Sequence, residues 1–248
     1  MSGFVDVHSH VVPSGDDGAG SVESGLALCL EAARRGTRVL YATPHVWPTL
    51  TLTEEREEAV RAAYAEMAPP VAEHGLDLRL GWELTPSAAL LEEDPRRYRL
   101  GDLPVVLMEV PFHGSLAVAE RLGAHIGASG LTPIIAHPER AEGVREAMGS
   151  VAAFRERGWL IQVNSTSLLG SHGAEQEDAA WRILRGGLAD LVASDGHRTA
   201  RPPHLDEAHR LVRARLGEGA DPLFDGSALD GAGAGSVDGD RVDLAQRR

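Results

Sequence analysis

Short β-like runs alternate with amphipathic helical stretches along most of the 248-residue chain, and this alternation restricts the fold more than any other feature. Seven runs rich in Val, Leu and Ile are separated by segments with helical periodicity. Alternation of this kind favours parallel βαβ units. We therefore predict an α/β fold whose seven strands close like a (β/α)7 or (β/α)8 barrel, with a doubly wound open sheet as the alternative.

The predicted elements cover the chain up to about residue 217. The predicted strands are 4–8, 38–43, 76–83, 105–110, 132–137, 159–164 and 190–195, and the predicted helices lie near 21–35, 53–73, 115–129, 139–157, 174–186 and 203–217. From residue 225 onwards Gly, Ala, Ser and Asp dominate and no apolar periodicity persists. We predict a single barrel domain over 1–224 and a disordered acidic tail over 225–248.

The composition excludes several classes of function. The 24 positively charged residues are all arginine, which rules out lysine Schiff-base chemistry and a Walker A phosphate loop. The net charge of −13 argues against a nucleic-acid partner, because such binding relies on clustered cations. No apolar run approaches the roughly 18 residues of a membrane span, and the N-terminus has no signal-peptide pattern. We expect a cytoplasmic protein without membrane insertion.

Six of the seven predicted strands carry a histidine or an acidic residue at or near their carboxyl ends. These residues are His8, His10, His45, Glu83, Glu109, His137, Asp195 and His197. Alternate side chains of a strand share a face, so His8 and His10 can bind one ion together. The carboxyl ends of parallel barrel strands meet at one mouth, where barrel enzymes carry out chemistry. A lone histidine at a strand end is usually a surface or capping residue, but this cluster predicts a metal site.

Longer motifs surround these residues. They are His8-Ser9-His10, Asp16-Asp17-Gly18, Ala42-Thr43-Pro44-His45, Glu83, Glu109, His137-Pro138-Glu139-Arg140 and Ser194-Asp195-Gly196-His197. Together they resemble the motifs of the polymerase and histidinol phosphatase (PHP) superfamily, and the match is closest to its CpsB/YwqE-like branch of bacterial metal-dependent protein-tyrosine phosphatases. The resemblance covers residues 5–217 and implies a distorted (β/α)7, TIM-like barrel.

The resemblance also implies a set of metal ligands. Three divalent ions are expected. Mn²⁺ is the preferred ion, and Fe or Zn are alternatives. By motif match, the first ion is held by His8, His10, Glu83 and Asp195, the second by Glu83, Glu109 and His137, and the third by Asp17, His45 and His197. Asp17 is preferred to Asp16 because it lies nine residues after His8, as in the family. Arg140 matches an arginine that clamps the phosphate.

The implied activity is hydrolysis of phosphotyrosine in a protein, by attack of metal-activated hydroxide on phosphorus. His197 and Asp195 are candidate proton donors, and the substrate partner would be a bacterial tyrosine kinase of polysaccharide synthesis. A histidinol-phosphate or other small-molecule phosphatase is the alternative, and a non-catalytic barrel is disfavoured because every ligand position is filled. The chain departs from the family pattern at Val46, often a histidine or basic residue, and at Gly196, often alanine. The oligomeric state stays open.

A second phosphatase motif is present by coincidence. Cys29 and Arg35 satisfy the Cys-x5-Arg spacing of cysteine-dependent tyrosine phosphatases. That chemistry needs a loop whose backbone amides hold phosphate, but the residues between them are strong helix formers. Leu26, Cys29 and Leu30 lie on one helical face. We therefore predict that Cys29 is a core residue.

Overall fold

The computed structural model describes residues 3–232, and its strands follow the predicted alternation. The strands in this range are β1 (Phe4–Ser9), β2 (Thr37–Ala42), β3 (His45–Val46), β4 (Asp77–Leu80), β5 (Glu83–Leu84), β6 (Val105–Glu109), β7 (Thr132–Ala136), β8 (Leu160–Asn164) and β9 (Leu191–Ala193). Every paired strand runs parallel to its neighbour. The α/β class with parallel strands is therefore confirmed.

The strands occupy seven positions around a barrel, because β3 continues β2 and β5 continues β4 after short breaks. Hydrogen bonding divides them into a three-stranded sheet, β1-β2-β4, and a six-stranded sheet, β3-β5-β6-β7-β8-β9. The ring closes between the ends of β9 and β1, where the His10 N–H donates to the Gly196 carbonyl at 2.7 Å and the Asp195 N–H to the His8 carbonyl at 2.9 Å. The barrel is therefore closed but distorted, as predicted.

Local chemistry explains the two breaks. Pro44 has no backbone N–H, so it cannot donate to a strand ladder. At Gly81 a β-carbon would lie 2.4 Å from Leu100 Cδ2 and 3.1 Å from Leu100 Cα, so a side chain here would displace Leu100. The structure therefore divides the predicted strand 76–83 into β4 and β5, and the short strand β3 follows the predicted strand 38–43.

Two layers of apolar side chains hold the barrel together. Along β6, Val105 and Leu107 belong to an inner cluster, whereas Val106 and Met108 face an outer cluster that includes the helices. This alternation follows the two-residue period of a strand. The inner cluster fills the lower part of the barrel, so the polar strand ends lie above an apolar plug.

Eight α-helices cover the outside of the barrel in the described range. They are α1 (Val22–Arg34), α2 (Glu54–Ala72), α3 (Ala117–Ala128), α4 (Glu142–Glu146), α5 (Gly149–Glu156), α6 (Ser165–Leu168), α7 (Ala174–Arg185) and α8 (Asp206–Leu216). None of the helices in residues 3–232 has the length and apolar character that crossing a bilayer requires.

The predicted helix 139–157 differs from the structure. Residues Pro138–Arg140 form a 3-10 turn, and two short helices, α4 and α5, follow it. His137 has a left-handed backbone with φ of 34°, which α-helical geometry does not allow. This backbone turns the chain away at the mouth of the barrel, so the helical pattern starts late and is interrupted at Ala147.

The first residues of the predicted tail pack against the barrel. A 3-10 turn covers Ser227–Leu229, and Leu229 is buried in the inner cluster with Val7 and Leu191. The Phe224 carbonyl accepts a hydrogen bond from the Val5 N–H at 2.9 Å. Leu229 stands among small and acidic residues, so the sequence shows no apolar periodicity that would predict this packing. Residues 233–248 of the predicted tail lie outside the described residues.

Cys29 lies in the core, as its helical neighbours predict. It is fully buried on α1, and burial raises the pKa of its thiol to about 12. Arg35 follows the same helix and pairs with Glu31 and Asp206 rather than facing a phosphate loop. The Cys-x5-Arg spacing therefore has no catalytic geometry.

We expect the Cys29→Ala variant to hydrolyse p-nitrophenyl phosphate at the rate of the unmodified protein, with a loss of stability of about 1 kcal/mol from the vacated core volume. Iodoacetamide at pH 8 should leave the activity intact, because the thiol stays protonated and inaccessible. Steady-state rates and thermal melts would measure both effects. Inactivation by the alkylating agent, with protection by phosphate, would contradict this prediction.

Candidate metal centre

A bulge in β1 directs two histidines into the mouth of the barrel. The pairing of β1 with β2 shifts register between Asp6 and Ser9. The buried Asp6 carboxylate fixes the bulge by accepting hydrogen bonds from the backbone N–H of His8 at 3.3 Å and of Ser194 at 3.0 Å. Val7 therefore points into the inner cluster, while His8 and His10 both reach the site above it.

The strand ends bring donor atoms together in three overlapping groups. The groups are His8, Glu83 and His137; His8, His10 and Asp195; and His10, His45 and His197, each with its ligand atoms within 4.8 Å of one another. All of these side chains are buried. Glu83 is central, because its Oε2 lies 3.1 Å from His8 Nε2 and 3.2 Å from His10 Nε2.

The donor set fits divalent metal ions. Glu83 Oε2 and His45 Nδ1 are buried 2.9 Å apart, yet neither atom forms a hydrogen bond with any described residue. His8 Nε2 and His10 Nε2 face each other at 3.1 Å in the same buried space. Buried polar atoms are normally paired, so unpaired lone pairs converging on one point indicate a cation site. Imidazole and carboxylate donors together suit Mn, Fe or Zn.

The two neighbouring aspartates of the first loop have different positions. Asp17 has a 56 % exposed side chain whose Oδ1 lies 3.3 Å from His197 Nε2 and 3.6 Å from His45 Nε2. The Asp16 carboxylate is fully buried and accepts hydrogen bonds from the backbone N–H groups of His45 and Gly18, each at 3.0 Å. Asp16 thus holds the loop, and Asp17 keeps an oxygen beside the third histidine group.

Glu109 lies at the mouth but outside the three donor groups. Its carboxylate accepts a hydrogen bond from the Thr85 hydroxyl. Burial, reinforced by the charge of Glu83, raises the pKa of Glu109 to about 8. A cation bound near these two carboxylates would offset that repulsion.

The site charges depend on one another. Burial alone would raise the pKa of Glu83 and of Asp195, but the neighbouring histidines outweigh it and hold both pKa values well below the ordinary range. His137 behaves differently, because burial lowers its pKa to about 4. The Glu83 and Asp195 side chains are therefore ionised, and the His137 ring is neutral, with its Nε2 3.0 Å from Glu83 Oε1.

Backbone strain is concentrated at this site. Within residues 3–232, His137 (φ 34°) and Asp195 (φ 52°) are the non-glycine residues with positive φ. Strain of this kind persists where the surroundings over-determine a conformation, often at functional sites. At the neighbouring Gly196 a β-carbon would lie 2.5 Å from Pro203 Cα, which explains why glycine replaces the alanine of the family pattern.

A chain of buried amides supports the ligands and was not predicted from the sequence. His8 Nδ1 lies 3.0 Å from Gln162 Oε1, Gln162 Nε2 donates to Asn164 Oδ1 at 2.8 Å, and Asn164 Nδ2 donates to Asp195 Oδ2 at 2.8 Å. Because the amide oxygen of Gln162 can only accept, His8 carries its proton on Nδ1 and presents Nε2 to the site. In the sequence, the signal for this chain of hydrogen bonds was a pair of amide residues at alternate positions of one predicted strand.

Arg140 borders the metal centre. Its guanidinium donates to Asp195 Oδ2 at 3.0 Å and lies over the ring of Phe112, 4.5 Å from the ring centroid. Phe112 is 37 % exposed and was not predicted as a site residue. Arg140 is therefore held on two sides at the edge of the mouth.

The comparisons first identify the general class of fold and then the family. The structure superposes on an Escherichia coli phosphotriesterase homology protein with a TM-score of 0.54 at 10 % identity, covering 90 % of this chain and 96 % of that one, which shows a shared fold. Residues 4–224 match the family described as capsular polysaccharide synthesis, CpsB/CapC, and the chain belongs to it. The predicted resemblance is confirmed.

Comparisons with individual proteins agree with the family assignment. The chain is 29 % identical to the tyrosine-protein phosphatase YwqE of Bacillus subtilis over 219 residues, which covers 86 % of this chain and 85 % of the relative. It is also 29 % identical to the tyrosine-protein phosphatase CpsB of Streptococcus pneumoniae over 223 residues, covering 86 % and 91 %. A crystal structure from work on these two "unique metal-dependent tyrosine phosphatases" superposes with a TM-score of 0.78 at 28 % identity, covering 87 % and 88 %.

Replacing Gln162 with leucine should weaken metal binding about 10- to 100-fold, because hydrogen bonds behind metal ligands fix their orientation. The variant keeps the ligands and most of the side-chain volume, so the loss would come from the freed His8 ring. Titration of the metal-free protein with Mn²⁺ would measure the affinity. Gln176→Leu, on α7, is the control and should bind as the unmodified protein does. Equal affinity in both variants would refute the role of Gln162.

Proposed function

We propose that this protein is a metal-dependent tyrosine-protein phosphatase whose substrate is a phosphotyrosine of a bacterial tyrosine kinase in polysaccharide synthesis. The relatives carry the same activity in their names, and the matched family is that of capsular polysaccharide synthesis. The observation that carries the proposal is the cluster of buried ligand atoms in one barrel mouth, next to an arginine. Two of these atoms, Glu83 Oε2 and His45 Nδ1, have no hydrogen bond among the described residues.

Nine residues would hold three divalent ions, for which Mn²⁺ is our first expectation. They are His8, His10, Asp17, His45, Glu83, Glu109, His137, Asp195 and His197. Ions in such a site would offset the negative charge of a phosphate and lower the pKa of bound water to about 7, which would supply a nucleophile at neutral pH. The protein contributes the geometry, since every one of these side chains starts from a strand end or its following loop.

Arg140 is the residue proposed to bind the phosphate. One guanidinium nitrogen contacts Asp195, and the planar group has further N–H donors for bidentate contact with phosphate oxygens. Its position between Asp195 and the Phe112 ring limits its rotation. A preoriented arginine binds the phosphate with less loss of side-chain entropy than a free one.

His197 and Asp195 are both better placed as ligands than as proton donors. His197 Nδ1 lies 2.8 Å from the Asp195 carbonyl oxygen, which can only accept, so the proton sits on Nδ1 and the Nε2 lone pair faces Asp17. Burial, followed by the charge of His10, lowers the pKa of His197, and Asp195 stays ionised. A tyrosine leaving group has a pKa near 10 and departs as phenolate without a strong general acid.

Aromatic side chains flank the metal centre on two sides. The Phe112 ring lies 5.7 Å from His137, and the Trp47 ring stacks on His45 at 4.5 Å. Both side chains are partly exposed. A phenyl ring that enters the mouth would contact these rings edge-on or offset, whereas an alkyl chain offers no such surface. The rim therefore favours aryl phosphates over alkyl phosphates.

Removal of metal should abolish the activity reversibly. We expect chelator-treated protein to lose hydrolysis of a phosphotyrosine peptide and to regain it with Mn²⁺, whereas phosphoserine peptide and histidinol phosphate should react slowly throughout. Phosphate release would measure the rates, and metal analysis of the protein as purified would identify the ion. Full activity after metal removal would refute the proposal, and a preference for histidinol phosphate would replace the substrate while keeping the metal chemistry.

Phe112→Ala should lower kcat/KM for aryl phosphates by about 0.5–1.5 kcal/mol of ring contact, or roughly 2- to 12-fold. The rate with phosphoserine peptide should change less, because that substrate has no ring to lose contact with. Phe112→Tyr keeps the ring and serves as the matched control. A parallel fall for aryl and alkyl substrates would instead assign Phe112 to the support of Arg140.

A further inference from the structure

Glu139 is a fully buried acidic residue at the barrel mouth, and it is not one of the proposed metal ligands. It lies in the 3-10 turn Pro138–Arg140, between His137 and Arg140. Its Oε1 accepts a hydrogen bond from the backbone N–H of Asn164 at 2.9 Å. A buried carboxyl group is costly for the free energy of folding unless its contacts offset the loss of water. Packing alone therefore does not explain an acid at this position.

The Glu139 carboxyl replaces a hydrogen bond that the sheet does not supply. β7 pairs with β8 only as far as Gln162. The Ile161 carbonyl faces the other neighbour, because it accepts a hydrogen bond at 2.9 Å from the residue that precedes β9. Successive residues of a strand turn their backbone groups to opposite sides, so the N–H of Asn164 faces the side on which β7 has already ended. Glu139 provides the acceptor for that N–H.

Two further hydrogen bonds close a ring that contains Glu139 and Arg140. The Asn164 side-chain amide donates to Asp195 Oδ2 at 2.8 Å, and the Arg140 guanidinium donates to the same oxygen at 3.0 Å. Asn164 thus contacts Glu139 through its backbone and Asp195 through its side chain. Because Glu139 and Arg140 are consecutive in the chain, the position of one restricts the position of the other.

Asn164 is the better fixed partner in the contact with Glu139. It ends β8, its backbone pairs with β9, and its side-chain oxygen accepts a hydrogen bond from Gln162 Nε2 at 2.8 Å. The bond from the Arg140 N–H to the His137 carbonyl, at 3.0 Å, lies inside the turn. Such a local bond fixes the shape of the turn but not its place on the barrel. The Glu139 carboxyl links the turn to the sheet.

We propose that Glu139 is a positioning residue for phosphate binding, because its carboxyl anchors the turn to β8 and so sets where the Arg140 guanidinium lies. Loss of the carboxyl leaves the Asn164 N–H without its acceptor and allows the turn to shift. A small shift matters, since bidentate contact with phosphate depends on the directions of the guanidinium N–H groups. This inference rests on the proposed role of Arg140 in binding the phosphate.

Three substitutions of Glu139 in the full-length, Mn²⁺-saturated protein test this role. Glu139→Leu removes the acceptor and should weaken binding of inorganic phosphate about tenfold, the scale of one charge-assisted hydrogen bond. It should also raise KM for p-nitrophenyl phosphate more than it lowers kcat. Glu139→Gln keeps an acceptor oxygen at the same reach and should restore both values. Glu139→Asp keeps the carboxyl but shortens the side chain, so it should weaken phosphate binding where Glu139→Gln does not. Isothermal titration calorimetry would measure the phosphate affinity, and the comparison of Gln with Asp holds even if the leucine variant does not fold.

Two controls separate positioning from a general loss of stability. Val151→Ala truncates a buried side chain on α5 and should lower the melting temperature while leaving the phosphate affinity unchanged. Because Glu139 acts through Arg140, adding Glu139→Leu to Arg140→Gln should weaken phosphate binding little further.

Two patterns of results would overturn the inference. If Arg140→Gln weakens phosphate binding but the Glu139 variants do not, or if the two effects simply add, Glu139 has no positioning role and the proposed role of Arg140 stands. If Arg140→Gln binds phosphate as the unmodified protein does, the proposed role of Arg140 is wrong and the inference fails with it.

Discussion

The contact on which the site depends is that of the Glu83 carboxylate with the surrounding imidazoles. A fully buried carboxylate is costly unless cationic or hydrogen-bonding groups surround it. Here His8, His10 and His45 all lie within 3.2 Å of one oxygen, and that oxygen has no hydrogen bond among the described residues. This geometry fits a cation bound among these side chains, and the groups around the barrel mouth hold the side chains in place.

That arrangement rests on supporting groups that do not themselves contact an ion. Asp6 fixes the bulge that turns His8 and His10 to the same side, Asp16 holds the first loop, and the amides of Gln162 and Asn164 orient His8 and Asp195. The strained backbone at His137 and Asp195 is tolerated because these contacts over-determine it. The positions of the proposed ligands thus depend on buried polar side chains rather than on the inner apolar cluster, which fills only the lower barrel.

At the carboxyl ends of the strands, the proposed metal ligands and Arg140 suit a phosphate that is to be hydrolysed. Lysine is absent from the chain, so the cation proposed to bind this phosphate is a planar guanidinium with fixed donor directions.

The sequence by itself determined the parallel barrel, the family and the residues that line its mouth. Strand periodicity and the common direction of parallel strands suffice to bring His8, Glu83, His137 and Asp195 together. The tertiary structure alone decided the support of these ligands by Gln162 and Asn164, the pairing of Arg140 with Phe112, the break in the helix predicted at 139–157, and the packing of Leu229. Each of these features depends on contacts between segments that are distant in the chain, or on a backbone angle that neighbouring residues impose. Such contacts and angles produce no periodic pattern of apolar residues, so the sequence alone does not reveal them.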